Sequence, residues 1–182
     1  MSIAADTLSM VRLVAAAALP AAIVRGGATP IALVMLAAAT DFTDGRVARY
    51  ARAPTRHGAL LDNVADVAFV LGGTATAAVL GLLPWAVPAA IALSVGVYAI
   101  ASARLSADAG APCLARSRSG HAAGVLNYLV VAVVAAAVAL PGPGWKLPLA
   151  LAAGAAVAAN LAAVAERATR APAPRAGEST VQ

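Results

Sequence analysis

Cysteine, histidine, lysine and acidic residues are all scarce in this chain. It has one cysteine, two histidines and eight Asp plus Glu in 182 residues. Cys113 alone cannot form an intramolecular disulfide, and no Cys/His spacing suits a zinc site; it reads as a bystander. Charged residues make up only 12% and aromatic residues 4%. The hydrophobic fraction is 62% and the mean hydropathy +0.84. A soluble domain of this length cannot bury that much apolar surface, so much of it must face lipid. Alanine and valine dominate. Alanine is nearly neutral for insertion, so each span depends on its Leu, Val and Ile. The net charge of +5 comes from twelve arginines and one lysine. In a soluble chain such a balance would suggest nucleic acid. Here few basic residues lie away from segment ends, so topology and lipid phosphate explain them and no nucleic-acid partner is expected.

Long apolar runs are what the chain has in their place. They cover 8–24, 28–45, 59–83, 86–105, 121–140 and 147–165. A span needs about 20 apolar residues, so the expectation is an all-α integral membrane fold with six transmembrane helices. Arg25-Gly26-Gly27, Gly81 to Pro88 and Pro141-Gly142-Pro143-Gly144 mark the joints. Thr29-Pro30 reads as an N-cap with proline at the first helical position. Residues 1–166 form one six-span domain, and 167–182 a polar, disordered cytoplasmic tail. With both termini in the cytoplasm, the inner side receives Arg12, Arg46, Arg49, Arg52, Arg56, Arg104, Arg116, Arg118, Arg167, Arg170 and Arg175. The outer side receives Arg25 and Lys146, which satisfies the positive-inside rule. Trp85 and Trp145 fall at outer ends, as interfacial anchors do. A secretory signal peptide is the competing reading of the first segment, but Arg12 interrupts it and no basic region precedes it.

Four of the eight acids, Asp41, Asp44, Asp62 and Asp66, lie in or beside spans two and three. One charge at a span centre costs roughly 2.5–3.5 kcal/mol, so four immersed without compensation would cost on the order of 10–14 kcal/mol. Water, protonation, arginine partners or cations must offset that. Asp41 and Asp44 are i, i+3 and Asp62 and Asp66 are i, i+4, so each pair shares a helix face. A short turn joins the two spans, so the faces can meet near the inner surface. Converging carboxylates suit hard divalent cations, Mg²⁺ or Mn²⁺, whose shells substrate phosphates commonly complete. Gly45, Ala48 and Gly58 leave room for a ligand near the backbone, and Arg49 can pair with phosphate in a forked geometry.

The run D41-F-T-D44-G45-R-V-A48-R49, eight residues, then G58-A-L-L-D62-N-V-A-D66 resembles the signature of the CDP-alcohol phosphatidyltransferases at each fixed position. Thr7 to Pro20, with Arg12, is similar to that family's first span. The resemblance implies a transferase of phospholipid synthesis that moves a phosphatidyl group from CDP-diacylglycerol to a small alcohol and releases CMP. It implies that Asp41, Asp44 and Asp62 hold two Mg²⁺ or Mn²⁺ ions on the CDP pyrophosphate, with Gly45, Ala48, Arg49 and Gly58 around the CDP. It implies that Asp66 takes the proton of the acceptor hydroxyl and also touches a metal. A homodimer in a bacterial cell (inner) membrane, its site facing the cytoplasm, is the corresponding expectation.

For the acceptor, the basic 104–121 region offers Arg104, Arg116, Arg118 and His121. It favours a phosphate-bearing alcohol such as glycerol 3-phosphate. Serine, inositol phosphate and phosphatidylglycerol stay open. Val67 and Gly120-His121 depart from relatives that act on glycerol 3-phosphate or phosphatidylglycerol, and Ala68-Phe69-Val70 departs from phosphatidylserine synthases. Other residues carry plainer readings. Arg46, Arg52 and Arg56 set topology, His57 sits in a solvated loop, and Gly120 and Gly124 allow close packing. Tyr98, Tyr128 and Asn127 make local hydrogen bonds. A non-enzymatic cation carrier is the competing class, since intramembrane aspartates also mark ion pathways. A pathway would spread polar groups through the membrane depth, yet spans four to six are almost without acids.

Overall fold

Alanine, leucine and valine runs, punctuated only by short Gly/Pro-containing joints, leave the backbone one way to satisfy its polar groups in an apolar setting, the α-helix. The computed structural model describes residues 3–50, 56–109 and 117–169. They form α1 (Ile3–Arg25), α2 (Thr29–Tyr50), α3 (Arg56–Val79), α4 (Ala86–Ala109), α5 (Arg118–Ala139), a 3₁₀ turn (Pro143–Trp145) and α6 (Lys146–Thr169), with no strand among the described residues. Each apolar run of the sequence falls mainly on one helix, although the third, 59–83, runs four residues past the end of α3 at Val79. Three helical segments, Ala86–Ala107, Arg118–Ala139 and Pro143–Thr169, are long and apolar enough to cross a membrane; Thr29–Thr40 is a shorter apolar stretch. The fold is all-helical and consistent with a membrane protein.

The joints follow the residues that build them. Gly26 and Gly27 take φ of +77° and +76° between α1 and α2. The Ala28 carbonyl accepts from the Ala32 N–H at 3.1 Å. Thr29 and Pro30 are therefore the first two helical residues, one place earlier than the expected cap, where a proline still costs no hydrogen bond. α3 ends in a Schellman motif around Gly81 (φ +72°). The Leu82 N–H donates to the Ala77 carbonyl at 2.9 Å and the Gly81 N–H to Ala78 at 3.1 Å. Ser117 caps α5 by accepting from the Gly120 N–H at 3.0 Å. After α5, the Trp145 indole donates to the Leu140 carbonyl at 2.7 Å, which closes the turn into α6.

α1 packs along α3 and α2; α6 packs along α5 and α4; α5 joins the two groups through α2 and α3. Leu19, Ile23, Phe69, Val87, Ile91, Val130, Val131 and Val134 are fully or nearly fully buried between them. Small residues fill the remaining contacts, including Ala15, Ala16, Ala37, Ala65, Ala77, Ala153, Ala156 and Ala163. Between helices in lipid the hydrophobic effect contributes little, so close backbone approach through small residues supplies the packing. The alanine bias therefore has a structural use. At Gly73 an added Cβ would lie 2.9 Å from Leu19 Cδ2 and 3.2 Å from Val131 Cγ1. That glycine is where α1 and α5 approach α3 together. α6 continues to Thr169, three residues past the expected end of the domain, because Glu166 and Arg167 both find partners on neighbouring helices.

Candidate functional site

Arg12 is fully buried on α1. A charge in that position is tolerated only with partners, and two other helices, α2 and α3, provide them. Its Nη1 binds Asp62 Oδ1 in a short contact and Asp66 Oδ1 at 2.9 Å, both on α3. Its Nε donates to Thr40 Oγ1 of α2 at 3.4 Å. Thr40 in turn donates to the Ala37 carbonyl at 2.8 Å. A fourth helix reaches the same point, for the Tyr128 hydroxyl of α5 donates to Asp66 Oδ1 at 2.6 Å. The Tyr128 ring stacks on Phe69, one turn beyond Asp66, with centroids 5.6 Å apart and planes at 16°. The i, i+4 spacing thus does bring Asp62 and Asp66 to one face, where they converge on one positive group. Their side chains keep 36% and 31% of their surface exposed, so the pair is open to a ligand.

A cavity of about 620 Å³ opens beside Asp66, between α3, α4, α5 and α6. Asp66, Ser94, Tyr98, His121, Asn160 and Arg167 are among the polar residues on its wall; Asp62 is not. Its size falls within the range of small-molecule sites. On one side Asn127 and Asn160 exchange amide bonds across α5 and α6, at 2.7 and 3.4 Å, and Asn160 also donates to the Ala156 carbonyl at 2.8 Å. At the end of α6, Arg167 Nη1 donates to Ser94 Oγ at 3.3 Å, and the guanidinium lies 5.3 Å from the Tyr98 ring centre. A side chain at Gly120 would collide with that guanidinium, so Gly120 makes room for it. Beside it, Glu166 Oε2 accepts from the Ser119 N–H at 3.3 Å and from the Ser119 hydroxyl, which fastens α6 to the start of α5.

The other residues singled out in the sequence divide by position. Asp41, Asp44, Gly45, Ala48 and Arg49 belong to the second half of α2, and Gly58 to the first turn of α3; their surroundings lie outside the described residues, as does Arg116. Thr40 directly precedes Asp41, so α2 enters its aspartate segment at the guanidinium that holds Asp62 and Asp66. His121, Arg104 and Arg118 are all exposed, and of the three only His121 lines the cavity. Sequence reasoning counted Arg12 among the topology arginines. Its lack of exposed surface and its two carboxylate partners show an internal counter-ion. The signal was available, since a charge within an apolar run needs a partner. Tyr128 and Asn127 were expected to bond locally. Both instead bond across helices, to Asp66 and Asn160. Ser94, Asn160 and Arg167 had no local signal for a place on the cavity wall.

The four aspartates offer oxygen donors only, which fits a hard divalent cation and argues against a soft one. The convergence of Asp62 and Asp66 on one cationic atom fits the same ligand. Among the described residues no group of three or more His, Cys, Asp or Glu gathers; the side chains of Asp41 and Asp44 lie outside them.

Comparison with known proteins bears on these observations directly. The profile of the CDP-alcohol phosphatidyltransferase family matches residues 2–166. No curated protein and no solved structure matches the chain. The family is generally dependent on Mg²⁺ or Mn²⁺ and serves phospholipid synthesis. A match of that length, on an all-helical chain with a paired-aspartate helix, shows that the protein belongs to the CDP-alcohol phosphatidyltransferase family and is a transferase that moves a phosphatidyl group from a CDP-alcohol to an alcohol.

Proposed function

We propose that this enzyme transfers the phosphatidyl group of CDP-diacylglycerol to a small phosphate-bearing alcohol, of the glycerol 3-phosphate type, with release of CMP. The observation that carries the reading is the position of Asp66. It belongs to the carboxylate pair gathered by Arg12 and it also lines the 620 Å³ cavity, so it stands between the donor side and a space for the acceptor.

Asp66 is the general base in this reading. It takes the proton of the acceptor hydroxyl, the hydroxyl oxygen forms its bond to the phosphorus bearing the diacylglycerol, and the bond from that phosphorus to CMP breaks, CMP leaving with the electron pair. General base catalysis of this kind is typically worth about 10²–10⁴-fold. Asp41, Asp44 and Asp62, with a share from Asp66, would hold two Mg²⁺ or Mn²⁺ ions, which when bound neutralise the pyrophosphate and the departing CMP. Gly45, Ala48 and Gly58 keep the CDP path free of side chains, and Arg49 pairs with a phosphate oxygen. On the acceptor side, Arg167 and His121 supply positive and hydrogen-bonding groups for a phosphate. Ser94, Tyr98 and the Asn127–Asn160 pair supply neutral partners for hydroxyls. Exposed Arg104 and Arg118, with Arg116, draw anionic groups toward the rim.

The setting proposed is a bundle of six spanning helices in a bacterial cell membrane, termini and site on the cytoplasmic side, working as a homodimer. The three long apolar helices support the membrane embedding, the arginine bias between the two sides supports the orientation, and the homodimer and the bacterial membrane follow from the family likeness alone. Such a site lets the lipid tails stay in the bilayer while the headgroup reaches the aspartates.

The test is CMP release by purified protein in detergent with CDP-diacylglycerol and Mg²⁺ or Mn²⁺, across glycerol 3-phosphate, serine, inositol phosphate, inositol and phosphatidylglycerol. Release that depends on a phosphate-bearing alcohol is expected. Release with serine or unphosphorylated inositol alone would overturn the acceptor assignment. No release with any alcohol, from folded and metal-loaded protein, would overturn the reaction.

A further inference from the structure

We propose that Tyr128 is a positioning residue for phosphatidyl transfer, its hydroxyl holding the Asp66 carboxylate in the orientation from which it meets the acceptor. The inference rests on the reading of Asp66 as the base and adds a group on another helix that this base depends on.

Three observations carry it. The contact of 2.6 Å between the Tyr128 hydroxyl and Asp66 Oδ1 lies in the range of charge-assisted O–H···O⁻ bonds, about twice as strong as neutral ones. The tyrosine is itself held, since its ring stacks on Phe69, a fully buried residue one turn along the helix that carries Asp66. Ring and hydroxyl therefore grip α3 at two successive turns. Finally, Arg12 Nη1 reaches the same Oδ1 at 2.9 Å from α1. One carboxylate oxygen thus receives donors from α1 and α5, and two donors at one oxygen restrain rotation of the carboxylate about its Cβ–Cγ bond.

Orientation matters for a base because the hydroxyl it serves must lie within roughly 2.6–3.2 Å. A misplacement of about 1 Å can cost on the order of 10²-fold in rate. Tyr128 also lines the cavity beside Asp66, so any rotation of the carboxylate would occur where the acceptor must enter. Tyr128 keeps its proton throughout. The proton that moves goes from acceptor hydroxyl to Asp66, and the tyrosine only fixes where that carboxylate stands. Arg12 serves Asp62 as well as Asp66, so its removal disturbs both carboxylates. Tyr128 is the cleaner probe of Asp66.

The experiment compares Tyr128→Phe, Asp66→Asn and the double variant in the full-length protein. It measures kcat and KM for both substrates, equilibrium binding of CDP-diacylglycerol, and the thermal unfolding midpoint. Phenylalanine keeps the ring on Phe69 and removes only the donor. The expected result is a fall in kcat of about ten- to hundredfold, with CDP-diacylglycerol affinity and unfolding midpoint unchanged, and a double variant no slower than Asp66→Asn. An unchanged kcat in Tyr128→Phe beside an inactive Asp66→Asn would overturn the role of Tyr128 and leave the base assignment standing. Full activity in Asp66→Asn would overturn the base assignment itself and this inference with it. A loss spread over affinity and midpoint would reduce Tyr128 to a structural residue. A double variant slower than Asp66→Asn by the full Tyr128→Phe factor would show that the tyrosine acts on the substrate and not through Asp66.

Discussion

Arg12 shows what one residue can decide. A guanidinium without exposed surface lies against two carboxylates and a threonine hydroxyl on two other helices. Asp62 and Asp66, one turn apart, would otherwise repel each other and Arg12 would be a lone buried charge. Removing one partner of a buried pair costs about 3–5 kcal/mol, but a hydrogen bond to a charged group in a partly open site is worth about 1.5–3 kcal/mol. Both carboxylates keep about a third of their surface exposed, so the smaller figure applies. Arg12→Met is expected to lower unfolding free energy by about 1.5–3 kcal/mol. Arg12→Lys should recover part of that, since the charge returns without the fork that serves Thr40 as well. Unfolding of both variants in detergent checks this, and a midpoint equal to the parent's for Arg12→Met would refute the counter-ion role.

Helices α5 and α6 illustrate what single elements contribute. Each is long and apolar enough to cross a membrane, and neither periodicity nor composition says which faces meet. Asn127 and Asn160 do, through reciprocal amide bonds with both residues buried. In lipid such interhelical bonds average about 0.6 kcal/mol, with about 1.7 kcal/mol at most. A double-mutant cycle with Asn127→Leu and Asn160→Leu should give a coupling of about 0.5–1.7 kcal/mol, the double variant being more stable than the two single losses predict. Simple additivity in thermal or denaturant unfolding would show that the amides do not depend on each other. Glu166 and Arg167 work from the same element, reaching α5 and α4 in opposite directions. That is why α6 stays helical where the sequence alone read the start of a tail.

Taken as a whole, the molecule gathers Asp62 and Asp66 of α3 against Arg12 of α1 and opens its polar cavity between α3, α4, α5 and α6, with Asp66 common to both. In the proposed chemistry, four carboxylates and a pyrophosphate would repel one another unless cations intervene. Chelation is expected to reduce turnover to background while helical content by circular dichroism stays the same, and added Mg²⁺ or Mn²⁺ should restore the rate. Persistence of the full rate after exhaustive chelation would remove the metal from the proposed chemistry.

Six apolar runs, glycine and proline at the joints, and two aspartate pairs at helical spacing were legible in the sequence because each is a local property. Hydropathy sets where helices lie, Gly81 sets where α3 stops, and i, i+4 spacing sets that Asp62 and Asp66 share a face. The signature from Asp41 to Asp66 was legible for the same reason, being confined to two neighbouring segments. Tertiary structure alone decided the rest. Arg12 is 54 residues from Asp66 and Tyr128 is 62 residues away, and no periodicity links them. Asn127 finds Asn160 only once α5 and α6 pack. The cavity wall draws on four helices whose polar residues are isolated within apolar runs. Such residues carry no pattern of their own, because the partner that makes sense of each lies on another helix.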